Sequence, residues 1–418
     1  MPPRPSPGLT ATLALLSVLV PLSTDMYLPG FPALAREFRA DAAGAQLTLT
    51  AFLLGLAAGQ LMLGPLSDRL GRRAPILAGS ALCTAATALC AVAPSLATLT
   101  ALRFVMGFTG AAGVVVGRAV IADVASGAAA ARLFALLMAL GGIAPIVAPL
   151  AGGAVVSATG GWRAAFWVLA AASALMFAAA LVKVPETLPP RRRRTAGAGA
   201  TLRAARSVVA DRPYLGYTLA SCLTVASLFC YISASPFLLQ DVLGFSVGEA
   251  SAVFSAGALT ATVSTLAAGR LAGRVRPETL TLAGLVTMAA ACGAALAVTL
   301  AGGLGRVTAL GLVAVAFVGL GLVFATVTGL ALERVPHAAG TGSAVLGTLQ
   351  SVLAAAVAPL MGVGGGQAAV PLFAGMTGCS ALALLALLLT RRARPGAPDP
   401  AVSPPAPTAT AGGERSAP

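Results

Sequence analysis

Charged residues are scarce in this chain of 418 amino acids. They make up 10% of it, whereas hydrophobic residues make up 58%. Soluble domains carry about 25% charged residues, so the composition excludes an ordinary soluble protein and indicates one that crosses a membrane several times. Glycine is abundant instead, at 48 residues, which suits helices that pack closely in lipid.

Side chains that carry enzymatic or metal chemistry are also few. His337 is the single histidine, and the six cysteines lie in apolar segments without the spacing of a metal site. The sequence contains no G-x-x-x-x-G-K-[ST] phosphate loop, which argues against a nucleotide-driven pump. Because neither a nucleophile with its base nor a pair of acids is apparent, we expect no enzymatic activity, no metal and no cofactor.

The positive charge is distributed as in a membrane protein. The formal net charge is +14, and the arginines cluster in the loops after every second apolar segment. Since Lys and Arg concentrate in cytoplasmic loops, this pattern predicts both termini in the cytoplasm. It differs from the basic stripe of a nucleic-acid-binding protein, and we expect no nucleic-acid partner.

Apolar segments of spanning length recur about every 30 residues, twelve in all, from 9–30 to 370–390. A weak repeat relates the two sets of six, since Gly64 and Arg69 recur as Gly269 and Arg274. Parallel six-helix repeats build one large class of secondary transporters. The predicted fold is therefore all-α, with twelve transmembrane helices in two pseudo-symmetric six-helix bundles. Its predicted parts are a short cytoplasmic N terminus (1–8), an N-terminal bundle (9–184), a basic cytoplasmic linker (185–212), a C-terminal bundle (213–391) and a disordered cytoplasmic tail (392–418).

Asp25 is an acid within the first apolar segment. It follows Leu9 by a stretch that spans about 24 Å as a helix, which places it inside a hydrocarbon core of about 30 Å. A carboxylate at that depth costs about 2.5–3.5 kcal/mol on insertion scales, and such groups are functional by default. We interpret Asp25 as the proton-coupling residue of a transporter. The alternative is that it caps a helix break made by Pro21 or Pro29.

Arg103, near the start of the fourth predicted helix, lies at nearly the same depth. A buried arginine needs a partner, and Asp25 is the nearest acid by depth, so we expect these two residues to interact. The alternative is an arginine that snorkels to the membrane surface.

The turn between the second and third predicted helices reads Gly64-Pro65-Leu66-Ser67-Asp68-Arg69-Leu70-Gly71-Arg72-Arg73. Asp68 is placed where its charge could meet the N-terminal end of another helix, although an ordinary cytoplasmic loop would also carry the arginines. The stretch resembles the G-x-x-x-D-R-x-G-R-R motif of the major facilitator superfamily. The resemblance implies a cytoplasmic latch between the halves, with Asp68 facing the start of the eleventh helix. The residues assigned to the latch are Gly64, Asp68, Arg69, Gly71, Arg72 and Asp123.

Two further motifs lie in the fourth and fifth predicted helices. The run from Arg103 to Gly107 resembles the superfamily signature R-x-x-Q-G, which is tied there to proton transfer, with Met106 in place of the glutamine. In the fifth helix, two prolines four residues apart and neighbouring glycines predict a bent helix with a flat face. This stretch resembles the antiporter motif of the superfamily, and its assigned residues are Pro145, Pro149, Gly152 and Gly153.

Together with the run from Asp25 to Pro29 and with Ser235-Pro236-Phe237, these motifs resemble the bicyclomycin-resistance (Bcr/CflA) drug-efflux subfamily. The resemblance implies a proton-coupled antiporter of the cytoplasmic membrane that exports drugs or small amphipathic metabolites. Its partners would be a small-molecule substrate, protons and the lipid bilayer, and we expect a monomer driven by the proton gradient without a cofactor. The residues that could line the substrate cavity, or alternatively only pack, are Tyr27, Phe229, Tyr231 and Gln350.

Other functions stay open at this point. One is an exporter dedicated to a single metabolite, such as a sugar, an amino acid or an antibiotic precursor. Another is a channel or a non-transporting sensor on the same fold. A sensor would be expected to lose the intramembrane acid or to bring a large soluble domain, so the presence of Asp25 favours a transporter.

Overall fold

The structure is a computed structural model that describes residues 6–193, 206–271, 273–362 and 368–392. Part of the predicted linker (194–205) and nearly all of the predicted tail (393–418) lie outside the described residues. Within those ranges, twelve helical segments are long and apolar enough to span a membrane. The predicted all-α, twelve-helix fold is thereby confirmed.

The N-terminal half contains six spanning segments, of which the first is interrupted. It consists of α1 (Pro7–Asp25), a 3-10 turn (Leu28–Gly30) and the short α2 (Phe31–Glu37). The other five are α3 (Ala42–Leu70), α4 (Arg73–Ala91), α5 (Leu96–Val124), α6 (Gly127–Thr159) and α7 (Arg163–Lys183). Several helices begin at a polar side chain that accepts a hydrogen bond from a main-chain amide of the first turn, as Asp41 does from Gly44 in α3.

The C-terminal half has the same number of spanning segments. They are α8 (Arg212–Phe237) with a following π-helical turn (Leu238–Val242), α9 (Val247–Leu271), α10 (Pro277–Leu300), α11 (Arg306–Leu332), α12 (Ala339–Val357) with a following 3-10 turn (Ala358–Gly362), and α13 (Ala369–Arg392).

Equivalent helices pack in the two halves. In the N-terminal half α3 packs closely on α5, and in the C-terminal half their counterparts α9 and α11 do the same. Between the halves, α6 packs against α9 and α3 packs against α12. The core therefore consists of two bundles that share one long interface.

Two of the hydrogen bonds between the halves lie near the helix ends opposite the chain termini. Gln46, at the start of α3, donates through Nε2 to the carbonyl of Ser233, at 3.1 Å. Gln240, beyond the end of α8, donates through Nε2 to the carbonyl of Pro29, at 3.0 Å. The halves are thus joined on that side by bonds that run in both directions.

Candidate functional site

Asp25 is the last residue of α1, directly before the break in the first spanning segment. Its side chain is buried, with 4% of the residue exposed. The sequence predicted an uninterrupted segment to residue 30, but α1 ends earlier because the chain enters the 3-10 turn that contains Pro29. A residue at the C-terminal end of a helix lies at the negative end of the helix dipole, and neither the 3-10 turn nor α2 begins with a hydrogen bond to a capping side chain. The position therefore does not support the alternative that Asp25 is a capping residue.

Arg103 is completely buried on α5, so it does not snorkel. Its guanidinium donates through Nη1 to the carbonyl of Ser23, at 2.9 Å. The guanidinium carbon lies 4.1 Å from the ring centre of Tyr27 and 4.4 Å from that of Phe52. Cation–π contacts of a desolvated arginine contribute about 2 kcal/mol, so the rings stabilise the buried charge.

The expected ion pair between Arg103 and Asp25 is absent from the described residues in this conformation. Arg103 instead contacts Ser23 and Tyr27, which lie on either side of Asp25 in the chain. Two of its donors, Nε and Nη2, have no hydrogen-bond partner among the described residues. The sulfur of Met106, which stands where the superfamily motif has an amide, lies 3.4 Å from Nη1 and is a weak acceptor.

The glycine pair of α6 connects this site to the other half. A Cβ atom on Gly152 would collide with the main-chain carbonyl of Met26, the residue after Asp25. A Cβ atom on Gly153 would collide with the side chain of Ser251 in α9. The two adjacent glycines of the predicted motif thus allow α6 to touch the α1 break and the C-terminal half at once. Pro145 and Pro149 lie within the same helix, one turn apart.

The predicted latch residues form a charged cluster within the N-terminal half. Arg72 donates through Nη1 to Asp68, at 2.6 Å, and through Nε to Asp123, at 3.0 Å. Gly71 ends α3 with a φ of 96°, which favours glycine. The structure thus brings Asp68, Arg72 and Asp123 together. The predicted contact of Asp68 with the start of the eleventh helix, α12, stays a prediction for another conformation.

The other two predicted latch residues have less defined roles. Gly64 faces Val115, and an added Cβ atom would meet that side chain at an ordinary 3.5 Å. Arg69 is exposed in the last turn of α3. Packing of the described residues therefore does not explain why position 64 is glycine.

Glu186 belongs to this cluster and was missed by the sequence analysis, which assigned it to the linker. Its carboxylate accepts hydrogen bonds from the main-chain amides of Arg72, at 2.9 Å, and Arg73, at 3.4 Å. Burial acts to raise the pKa of Glu186, but the hydrogen bonds from Arg72, Leu188 and Arg73 outweigh it, and the pKa is lowered. One signal could have indicated this role of Glu186. The N-cap residue of α4 is Arg72, whose side chain does not cap the helix, so the first amides of α4 need an acceptor from elsewhere in the chain.

The four residues predicted for the substrate cavity do not come together. Tyr27 is buried beside Arg103, and its hydroxyl lies 3.2 Å from the Thr48 hydroxyl. Tyr231 is buried between aromatic rings of the C-terminal half. Gln350 donates to the Ser221 hydroxyl, at 3.0 Å, and Phe229 is partly buried.

A cleft between the halves is lined by other residues. They come from the turn after α1, from α6, and from α8 and α9 with the π-helical turn, and are Leu28, Pro29, Pro149, Ser235, Pro236, Leu239, Gln240, Ala250, Ser251 and Phe254. The lining is mainly apolar, and it begins three residues after Asp25. Among the four predicted cavity residues, Tyr231 is near this cleft, since its ring packs 5.6 Å from that of Phe254.

Two repeated six-helix bundles, a buried acid at a helix break and a cleft between the halves define a secondary transporter. Residues 13–359 match the family model described as Major Facilitator Superfamily. The chain belongs to this superfamily, and the resemblance drawn from the loop motif is confirmed.

Named relatives cover most of the chain. It is 35% identical over 359 residues to the uncharacterized MFS-type transporter YdgK of Bacillus subtilis. This match covers 85% of the present chain and 89% of the relative. It is 29% identical over 377 residues to the bicyclomycin resistance protein homolog of Haemophilus influenzae, covering 90% and 94%. The second name agrees with the predicted subfamily resemblance.

The fold is also similar to solved structures. A bacterial homolog of the human lysosomal transporter Spinster, in an inward-facing and unoccupied conformation, matches with a TM-score of 0.73 at 16% identity. The match covers 92% of this chain and 96% of that one. At this identity the likeness shows the two-bundle fold and carries no information about substrate.

Proposed function

We propose that this protein is a proton-coupled antiporter that exports drugs or small amphipathic metabolites across the cytoplasmic membrane. The observation that carries the proposal is Asp25, a buried acid at the break of α1 beside the inter-half cleft. Membership in a transporter superfamily and the relative named for bicyclomycin resistance support the direction and the substrate class.

Asp25 would carry the proton because its surroundings disfavour the charged carboxylate, so that it takes up a proton more readily than an exposed acid does. Burial and the position at the end of α1 both act in this direction. The rings of Tyr27 and Phe52 hold Arg103 in place without an ion pair, so Asp25 can change its protonation without displacing the arginine. Substrate then drives exchange only if it binds the two protonation states with different affinity.

Alternating access would occur by rocking of the two bundles. The arginine distribution supports cytoplasmic termini, so the side joined by Gln46 and Gln240 would face the outside. In that orientation the structure represents a state closed to the outside. Export would then require these inter-half bonds to open.

The test is transport by purified protein in proteoliposomes, with an imposed pH gradient and the membrane potential clamped to zero. We expect the wild type to accumulate tetraphenylphosphonium, a lipophilic cation, against its gradient. Asp25→Asn should abolish accumulation but retain exchange of labelled tetraphenylphosphonium, because exchange needs no proton cycle. If Asp25→Asn accumulates the cation at the normal rate, the proton passes elsewhere.

Asp41→Asn is the matched control. Asp41 caps α3 by accepting from the Gly44 amide, and asparagine caps a helix about as well as aspartate. We therefore expect Asp41→Asn to transport as the wild type does. A wild type that shows no response to the pH gradient with any cation or neutral amphiphile would overturn the proposed function itself.

A further inference from the structure

Sulfur atoms from two segments of the C-terminal half meet at Gly375 of α13. A Cβ atom placed on Gly375 would lie 2.9 Å from the Sδ atom of Met361 and 3.0 Å from the Sγ atom of Cys230. Met361 belongs to the 3-10 turn that follows α12, and Cys230 belongs to α8. Because glycine has no side chain, these two sulfur atoms can approach the main chain of α13 and each other.

Cys379 adds a third sulfur atom to this place. It follows Gly375 by one turn of α13, so the two residues share a face of that helix. The thiol of Cys379 interacts with the thiol of Cys230. Close packing of α8 on α13 holds the pair, and a nearby hydrogen bond from the Ser227 hydroxyl to the Met376 carbonyl, at 3.3 Å, joins the same two helices. Cys230, Cys379 and Met361 therefore form a sulfur cluster of two thiols and one thioether.

Most of the sulfur cluster is buried, but one member is accessible. Cys230 has 0% and Met361 has 6% of the residue exposed, whereas Cys379 is partly exposed. A single buried cysteine or methionine usually serves as an apolar side chain. Three sulfur atoms that converge from separate segments are in addition a set of donors for a soft cation, and the exposed part of Cys379 leaves a path to them.

The donors select the kind of cation. Thiolate and thioether sulfur select soft ions such as Cu(I), whereas carboxylate and water suit Mg²⁺ and Ca²⁺. Structural zinc sites have four ligands, and no three His, Cys, Asp or Glu side chains in the described part of the chain are grouped so as to hold a metal. A site here depends on the thioether, which favours a soft monovalent cation. Such a cation would replace the proton of one thiol, so the charge of the buried cluster would not change.

We propose that Cys230, Cys379 and Met361 bind one soft monovalent cation, Cu(I) or Ag(I). The site goes beyond the proposed transport function, since it lies within the C-terminal half and needs no proton coupling. It departs from the expectation that the chain has no metal site, because its ligands are far apart in the sequence and no local spacing reveals them.

The sulfur cluster lies beside a contact between the halves. Gly362, which follows Met361, is so close to α3 that an added Cβ atom would collide with the main chain of Ala43. A cation bound to Met361 would fix the 3-10 turn to α8 and α13. We therefore expect the cation to stabilise the folded protein on the side where the halves are closed.

The first test measures Cu(I) binding to the purified full-length protein without oxygen, in competition with the chelator bathocuproine disulfonate. We expect one Cu(I) ion per chain at the site of highest affinity. Cys230→Ala and Cys379→Ala should each weaken this binding at least about 100-fold, because even the loss of a residue that only orients a ligand costs about 10- to 100-fold. Met361→Leu keeps a side chain of similar size and should weaken it about 10-fold or more.

Matched controls remove sulfur atoms elsewhere. Cys222→Ala removes another buried thiol from α8, about two turns before Cys230, and Met176→Leu removes a buried thioether from α7. Both should bind Cu(I) as the wild type does. If the wild type binds no Cu(I), or if the controls lose as much affinity as the cluster variants, the proposal is wrong.

The second test asks whether three sulfur atoms reach the same ion. X-ray absorption at the copper edge should show three sulfur neighbours in the wild type and two in Met361→Leu. Two neighbours in both proteins would remove Met361 from the site and overturn the three-sulfur arrangement.

A third measurement separates loss of the site from loss of the fold. The melting temperature of the wild type should rise with one equivalent of Ag(I), because a ligand of the folded state stabilises it. Ser substitutions of Cys230 and Cys379 should give folded proteins that lack this rise. A Cys230–Cys379 disulfide in protein purified under reducing conditions, detected as cross-linked peptides by mass spectrometry, would contradict the proposal. None of these measurements involves transport, so their outcome does not depend on the antiporter proposal.

Discussion

Arg103 in the N-terminal half and Phe317 in the C-terminal half occupy equivalent places with different chemistry. Arg103 stacks on Tyr27, with the guanidinium carbon 4.1 Å from the ring centre. Phe317 packs edge-on against Tyr231, with ring centres 5.1 Å apart. Tyr27 and Tyr231 also correspond in the sequence, since they lie 204 positions apart and each precedes a proline, Pro32 or Pro236, by five residues. One half therefore holds a buried cation on its tyrosine, and the other holds a neutral ring.

The equivalence rests on helix packing as well as on the repeat. Arg103 lies four residues before Gly107, where an added Cβ atom would collide with the Phe52 carbonyl of α3. Phe317 lies four residues before Gly321, where an added Cβ atom would collide with the Ala261 carbonyl of α9. The same close crossing thus positions both side chains. The comparison teaches that the scaffold is repeated in the two halves while the buried charge is not.

The largest effect is expected when the N-terminal half is made to resemble the other. Arg103→Met removes the cation but keeps a long apolar side chain between Tyr27 and Phe52. We expect pH-driven accumulation of tetraphenylphosphonium to fall to background, because the segment that carries Asp25 loses the contacts of Arg103 with the Ser23 carbonyl and the Tyr27 ring. The melting temperature should fall moderately, since methionine leaves the buried Ser23 carbonyl without its donor.

Arg103→Lys is the companion variant. Lysine keeps the charge but lacks the planar group that stacks on both rings, so we expect reduced transport rather than none. If Arg103→Met transports as the wild type does, the buried cation that distinguishes the N-terminal half is not needed for pH-driven transport.

An intermediate effect is expected at the contact between α6 and the α1 break. Gly152→Ala forces a methyl group against the Met26 carbonyl, and overpacking of this kind costs about 1–3 kcal/mol. We expect a lower melting temperature and slower transport. Gly141→Ala, on the same helix, meets no atom within 4 Å and should be neutral or slightly stabilising. Equal melting temperatures for the two variants would show that α6 does not hold the break.

The smallest effect is expected at the reciprocal bonds that close the halves. Gln46→Leu and Gln240→Leu each remove one hydrogen bond, worth about 0.5–1.5 kcal/mol, so the ratio of closed to open molecules should fall about 2- to 10-fold. Distances between spin labels at the exposed positions Arg39 and Val242 would report this opening.

Gln350→Leu is the control for these variants, because the Gln350 bond to Ser221 stays within the C-terminal half. Label distances that do not change in Gln46→Leu or Gln240→Leu would mean that the closed side is held by packing alone.

Much of the fold was predictable because hydrophobic length and arginine placement act locally. These signals predict twelve spanning segments in two repeats. The depth of Asp25 and Arg103 along their helices also predicts that Arg103 lies near the end of α1, where it contacts Ser23 and Tyr27. The break of α1 was harder, since a proline in a membrane segment can bend a helix or end it, and the outcome depends on neighbouring helices.

The contacts of the site were less predictable, for physical reasons. A buried arginine can be stabilised by a carboxylate or by aromatic faces, and one sequence does not show which ring approaches it. Tyr27 was therefore assigned to the cavity, although in the structure it packs on Arg103. Glu186 was missed because its partners are main-chain amides, which every residue except proline possesses.

The bond from Arg103 to the Ser23 carbonyl has an evolutionary consequence. A helix that ends inside the membrane leaves carbonyl groups without main-chain partners, and Arg103 satisfies one of them. Loss of the arginine alone would strand that carbonyl, and loss of the break alone would leave the arginine without its acceptor. The two features should therefore be gained and lost together, so that a mutational path through either single change is disfavoured. Related proteins should therefore have both the arginine and the break of the first helix, or neither.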